Sequence, residues 1–222
     1  MFLSLLPNVR FDKMIEATIE TLYMTTISAI FVFFLGLIIG LVLFLTSPNQ
    51  LLENKWINRI LSALVNVFRS IPFVILIILL LNFTKLLVGT MLGPNAALPA
   101  LIIGASPFYG RLVEIALREI DKGVIEASIA MGASLWTIIR KVLIPESLPA
   151  LVSGITVTTI SLVGYTAMAG VIGAGGLGNL AYLDGFQRHR FDVVFVATII
   201  ILIIVFVIQF IGDVITKQID KR

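Results

Sequence analysis

The sequence predicts an all-α protein that crosses a membrane five times, with one polar segment between the third and fourth crossings. Three observations predict it. Hydrophobic residues make up 59% of the chain and charged residues 13%, about half the charged share of an ordinary soluble domain. A chain of that composition cannot cover its own surface with polar groups in water, so lipid is its solvent. The charges are also clustered, leaving uncharged stretches long enough to span. Finally, lysine and arginine fall unequally on the two sides that those stretches define. The whole chain, 1–222, reads as a single transmembrane domain.

A helix needs about 20 mostly apolar residues to cross about 30 Å of hydrocarbon. Residues 21–47 form the first span, ended by the turn signal Ser47-Pro48-Asn49. Its Gly36 and Gly40 make a G-x-x-x-G pair, a device for close helix packing. Residues 60–84 hold one charge, Arg69, and form the second span, kinked at Pro72. Near the inner boundary, Arg69 reads as a snorkelling anchor rather than a substrate ligand. The third span lies within 86–110, with Gly93-Pro94-Asn95 outside it. Residues 146–169 and 193–213 give the fourth and fifth, and the five glycines from Gly170 to Gly178 read as a loop between them. The opening Met1–Leu6 is too short an apolar run, and lacks the leading positive charge, for a cleavable signal.

Five spans put eleven lysines and arginines on the side of residues 47–59, the polar segment and the C-terminus, counting Arg69, and five on the other. The positive-inside bias then predicts an external N-terminus and a cytoplasmic C-terminus.

The cytoplasmic segment, 119–145, reads as two short helices meeting near Gly132, with Ser134 capping the second. Pro145 is expected in the first turn of the fourth span, where its missing N–H costs nothing. On that span Gly154, Thr158, Ser161, Tyr165 and Met168 recur at alternating steps of four and three, so they share one helical face. Polar groups in lipid must face protein or water, which makes this face a translocation path, a dimer seam or both. Met168, soft and unbranched, is the candidate gate.

Several chemistries are disfavoured. With no cysteine there are no disulfides, thiolate metal sites or cysteine nucleophiles. His189, flanked by two arginines, has no converging ligands, so no metal or other cofactor is expected. Glu114 with Arg111 and Arg118 has helical ion-pair spacing, which structure explains better than acid–base catalysis. No G-x-x-x-x-G-K-[ST] phosphate loop occurs, so an energy source would be another polypeptide. Basic residues between apolar stretches fit a lipid surface and not nucleic acid. A stand-alone secondary transporter would show internal repeats or intramembrane carboxylates, and an intramembrane enzyme would need a catalytic constellation; neither pattern is visible.

Glu126, Ala127 and Ser128, with Gly132 six places and Pro145 nineteen places after the glutamate, resemble the "EAA" loop of ABC-importer permeases. Ser128, Val142 and Ile144 stand where the family pattern has Ala, Ile and Leu. The segments 66–73, 125–133, 141–149, 163–170, 173–178 and 209–213, in this order and in a chain of this length, are similar to methionine ABC-transporter permeases. The resemblance implies a type I importer fold in the inner membrane and a homodimer bound to two copies of a separate ATPase, fed by an external substrate-binding lipoprotein. It further implies docking of the ATPase on Glu126, Ala127, Ser128, Gly132 and Pro145, and transport of D- and L-methionine or close analogues. A permease for another small solute, such as a phosphonate or betaine/choline, has similar glycine segments and is the alternative.

Overall fold

The computed structural model describes residues 7–220; Met1–Leu6, read above for a signal, and Lys221 and Arg222, counted for orientation, lie outside the described residues. Ten α-helices are present among them: α1 (Phe11–Thr46), α2 (Lys55–Ser70), α3 (Phe73–Leu79), α4 (Leu81–Val88), α5 (Pro94–Arg118), α6 (Lys122–Ala130), α7 (Leu135–Ile138), α8 (Ile144–Val171), α9 (Gly176–Asn179) and α10 (Phe191–Ile219). Four helical stretches are long and apolar enough to cross a membrane, and the bent pair α2–α3 makes up to five.

The 36 residues of α1 would extend about 54 Å at 1.5 Å per residue, so the helix begins well before position 21. It packs along α5, and the G-x-x-x-G pair explains how. A Cβ on Gly36 would stand 2.6 Å from Tyr109 Cδ1, one on Gly40 2.6 Å from the Gly110 oxygen, and one on Gly110 2.7 Å from Ile39 Cγ2. The two backbones touch at glycine on both sides.

The second expected span is not one rod. α2 stops at Ser70, Ile71 and Pro72 are extended, and α3 leaves at 105°. Proline disfavours the helical region for the residue before it, so the break falls one residue ahead of Pro72. The third span also shifts. Gly89 ends α4 at φ +83°, Gly93 follows at φ +87°, and α5 then starts at Pro94, where proline lacks only an N–H that would be unsatisfied anyway. Its far end carries Arg111, Glu114 and Arg118 past position 110. There the buried Glu114 carboxylate accepts from Arg111 Nη1 at 2.6 Å and from Arg118 Nη2 at 2.7 Å.

Pro145 lies in the first turn of α8, as expected, but that turn is not a free helix start. Residues Leu135–Val171 run continuously for 37 residues, and Ile139–Leu143 within them form a π-helical turn. The widened turn, in which the Ile144 N–H reaches back to the Ile139 oxygen, relieves the clash that proline makes with the carbonyl four residues earlier.

The glycine segment is only partly a loop. After a short turn, Gly176–Asn179 and a π-helical stretch, Leu180–Phe186, fold back against the end of α8. The crossing needs glycine, because a Cβ on Gly178 would strike the Ala167 backbone and one on Gly170 would strike the amide of Asn179. α1 holds this return from the other side. Glu20 Oε2 accepts from the Gly176 N–H at 2.6 Å, Thr21 Oγ1 accepts from the Leu177 N–H at 2.9 Å, and Lys13 pairs with Asp184 at 2.7 Å. On α10, Phe195, Phe206 and Phe210 all point outward, the pattern of a helix solvated by lipid.

Candidate functional site: the helical corner and the membrane cleft

The corner is built from local signals. The Asp121 carboxylate caps α6 by accepting from the Gly123 N–H at 2.7 Å. Ile125 and Ser128 face inward; the Ser128 hydroxyl donates to the Val124 oxygen at 2.8 Å. Glu126 and Ala127, one and two positions on from Ile125, are therefore left exposed. Gly132 ends the helix at φ +77°, with the Ala133 N–H on the Ser128 oxygen at 3.1 Å and the Gly132 N–H on the Ile129 oxygen at 2.9 Å. That bond pair is a Schellman motif, which demands a left-handed residue here. Beyond it, Ser134 Oγ accepts from the Thr137 N–H at 3.3 Å and starts α7.

The sequence reading missed one feature of this corner. Ile129 (47%), Met131 (80%) and Trp136 (68%) lie open beside Glu126 and Ala127, an apolar patch of the kind that marks an interaction surface. A tryptophan inside a polar segment was the available signal. Pro145 stays out of this patch, ten residues along the helix from Leu135, and bears on the corner only through the π turn.

The predicted stripe on α8 divides. Gly154 packs on Tyr109 and Leu112, and Thr158 is fully buried with its hydroxyl on the Gly154 oxygen at 2.7 Å. Thr158 is therefore inside the subunit and on no open path. Ser161 and Tyr165 are half-buried, and Met168 is 44% exposed. The open face is Val157, Ser161, Gly164, Met168 and Val171, rotated from the predicted one because α5 covers the Gly154 side.

Tyr165 turns instead toward the α2–α3 break, stacking on Phe73 with ring centroids 4.6 Å apart and planes within 7°. Together with Phe68, Arg69, Ile71, Leu76, Gly104 and Phe108 this pair lines a cleft of about 260 Å³. The Arg69 guanidinium sits 5.7 Å from the centre of the Phe108 ring. Among the described residues no three His, Cys, Asp or Glu side chains converge as a metal site.

Residues 33–222 match the family described as binding-protein-dependent transport system inner membrane component. The methionine import system permease protein MetP of Bacillus subtilis (strain 168) is 67% identical over 222 residues, 100% of both chains. A probable D-methionine transport system permease protein of Pasteurella multocida is 48% identical, covering 93% of this chain and 95% of its own. A native crystal form of the inward-facing MetNI methionine ABC transporter superposes with a TM-score of 0.94 at 45% identity, over 95% of this chain and 98% of that one. An amino acid ABC transporter at 20% identity and a TM-score of 0.79 shares the fold. With the spans, the corner and these matches together, the chain belongs to the family of inner membrane components of binding-protein-dependent transport systems.

Proposed function

We propose that the chain is the membrane-spanning permease subunit of an ATP-driven methionine importer, working by alternating access. The observation that carries this reading is the continuity of Leu135–Val171. The exposed corner at Glu126, Ala127, Met131 and Trp136 joins, through α7 and the π turn, the same rod that bears Tyr165 and Met168. A separate ATPase, one copy per permease, docks on the corner and moves its end when it closes. From Leu135 to Met168 the rod measures about 50 Å at 1.5 Å per residue, so a tilt of about 10° displaces the far end by about 9 Å. Met168 on the open face closes the path to the outside, and the glycines after it permit the bend.

The open face Val157–Val171 faces a second copy of the chain across the path. The N-terminus is external and the C-terminus cytoplasmic, and a binding lipoprotein delivers solute from outside. Methionine rests on the Bacillus subtilis methionine import permease, which matches along the entire chain. The test is uptake of labelled methionine by a methionine-import deletion strain carrying this chain with its ATPase and binding protein. Uptake supports the reading; assembly into the membrane without uptake of either stereoisomer sinks it.

A further inference from the structure

We propose that the cleft between α2, α3, α5 and α8 is a substrate station, in which Arg69 takes a carboxylate while Phe73, Tyr165, Phe108 and Leu76 take an apolar side chain. The inference deepens the importer reading and rests on it. Phe108 lies about 21 Å along α5 from Pro94 and about 15 Å from Arg118, at 1.5 Å per residue. Arg111 follows only three residues after Phe108, so Arg69, whose guanidinium lies over the Phe108 ring, sits at the cytoplasmic side of the cleft, where the span gives way to the Arg111–Glu114–Arg118 cluster. The α2–α3 break closes the apolar side of the cleft, because a straight second span would carry Phe73 along the α2 axis and not back against Tyr165.

Arg69 has no carboxylate within ion-pair distance among the described residues, whereas Arg111 and Arg118 share Glu114. An arginine within a span normally pairs with another group or lines a functional path. The Phe108 ring holds the guanidinium beside the cleft, and guanidinium N–H groups suit a two-oxygen acceptor. The Tyr165 hydroxyl, unlike those of Tyr23 and Tyr109, has no hydrogen-bond partner among the described residues. Opposite the charge the wall is aromatic and aliphatic, which suits a thioether. Gly104 keeps the space open, since a Cβ there would meet Leu76 Cδ2 at 3.1 Å. A cleft of about 260 Å³ holds one small amphipathic acid. The same guanidinium chemistry would accept the phosphate of an anionic lipid, so the test separates the two sources.

The test is saturation-transfer NMR on the detergent-solubilised full chain, reading the S-methyl signal of methionine. Methioninol, which has an alcohol in place of the carboxylate, is compared with it. Wild type is expected to transfer to methionine, with about tenfold or greater loss for R69Q, the scale of one charge-assisted contact. R69K should regain part of the signal, and methioninol should give about the same loss on wild type. Equal signals from wild type and R69Q, or from methionine and methioninol, overturn the proposal. Displacement of methionine by phosphatidylglycerol overturns it in favour of a lipid phosphate. If R69Q does not assemble, the methioninol arm still decides on unaltered protein. Failure of wild-type vesicles to import methionine would instead strike the importer reading itself; import with no Arg69 effect strikes the cleft alone.

Discussion

Gly132 offers a quantitative test of the corner. An added Cβ meets no atom within 4 Å, so alanine there is opposed only by backbone strain, about 1–2 kcal/mol for the left-handed region. Two hydrogen bonds hold the turn closed; at about 1 kcal/mol each they favour it by about 2 kcal/mol. Strain of about 1.5 kcal/mol lowers the closed fraction from about 97% to about 70%. ATPase affinity scales with that fraction, so Gly132→Ala should weaken docking less than about twofold. Gly132→Val, with strain of about 3 kcal/mol, leaves about 15% closed and should cost about sixfold. Gly132→Asn, which tolerates positive φ, should stay near wild type. The assay is titration of each solubilised variant with the ATPase, with thermal melting alongside to show that the spans remain folded. Wild-type affinity for the valine variant would refute the docking role. Asparagine and alanine as damaging as valine would refute the conformational argument and place the partner against the glycine itself.

Four further outcomes are expected. Cysteines placed at Ser161, Gly164 or Met168 should crosslink two protomers, whereas one at the fully buried Thr158 should not; crosslinking at Thr158 would remove the α8 face from the dimer axis. Met168→Ala should cost no more than about 1–2 kcal/mol of stability, because the side chain is 44% exposed, yet raise basal ATP hydrolysis in the assembled transporter; a tightly coupled variant that melts early would identify Met168 as packing. Gly178→Ala should abolish assembly, since the Cβ strikes Ala167 backbone that cannot move aside, and normal membrane levels would contradict the crossing. The Lys13 hydrogen bond holds the Asp184 carboxyl below the usual carboxylate range. With a depressed folded value, its stabilisation is present above about pH 4 and lost as pH falls through that value. Melting followed from pH 6 downward should show an acid-sensitive phase that Asp184→Asn removes.

The sequence by itself determined that lipid is the solvent, because composition alone sets whether a surface can be covered in water. It also determined the corner, since Gly132 and Ser134 act through their own or adjacent backbone, and the Arg111–Glu114–Arg118 cluster, whose members are one helical turn apart. The tertiary structure decided what depends on neighbours. Periodicity grouped Gly154 and Thr158 with Tyr165, but only the position of α5 shows which of them is covered. Pro72 marked a break, yet its 105° angle, and with it the return of Phe73 onto Tyr165, follows from packing on α5 and α8. Pro145 sits in the first turn of α8 as its residue type asks, but only the structure shows α7 and the π turn running into it without a gap. Arg69 shows in the sequence only as a lone charge near the inner boundary of a span; that it lies over Phe108 beside a cleft depends on how α5 packs against α2. Distance along one helix fixes a residue's depth, but its surroundings are set by what lies across the gap.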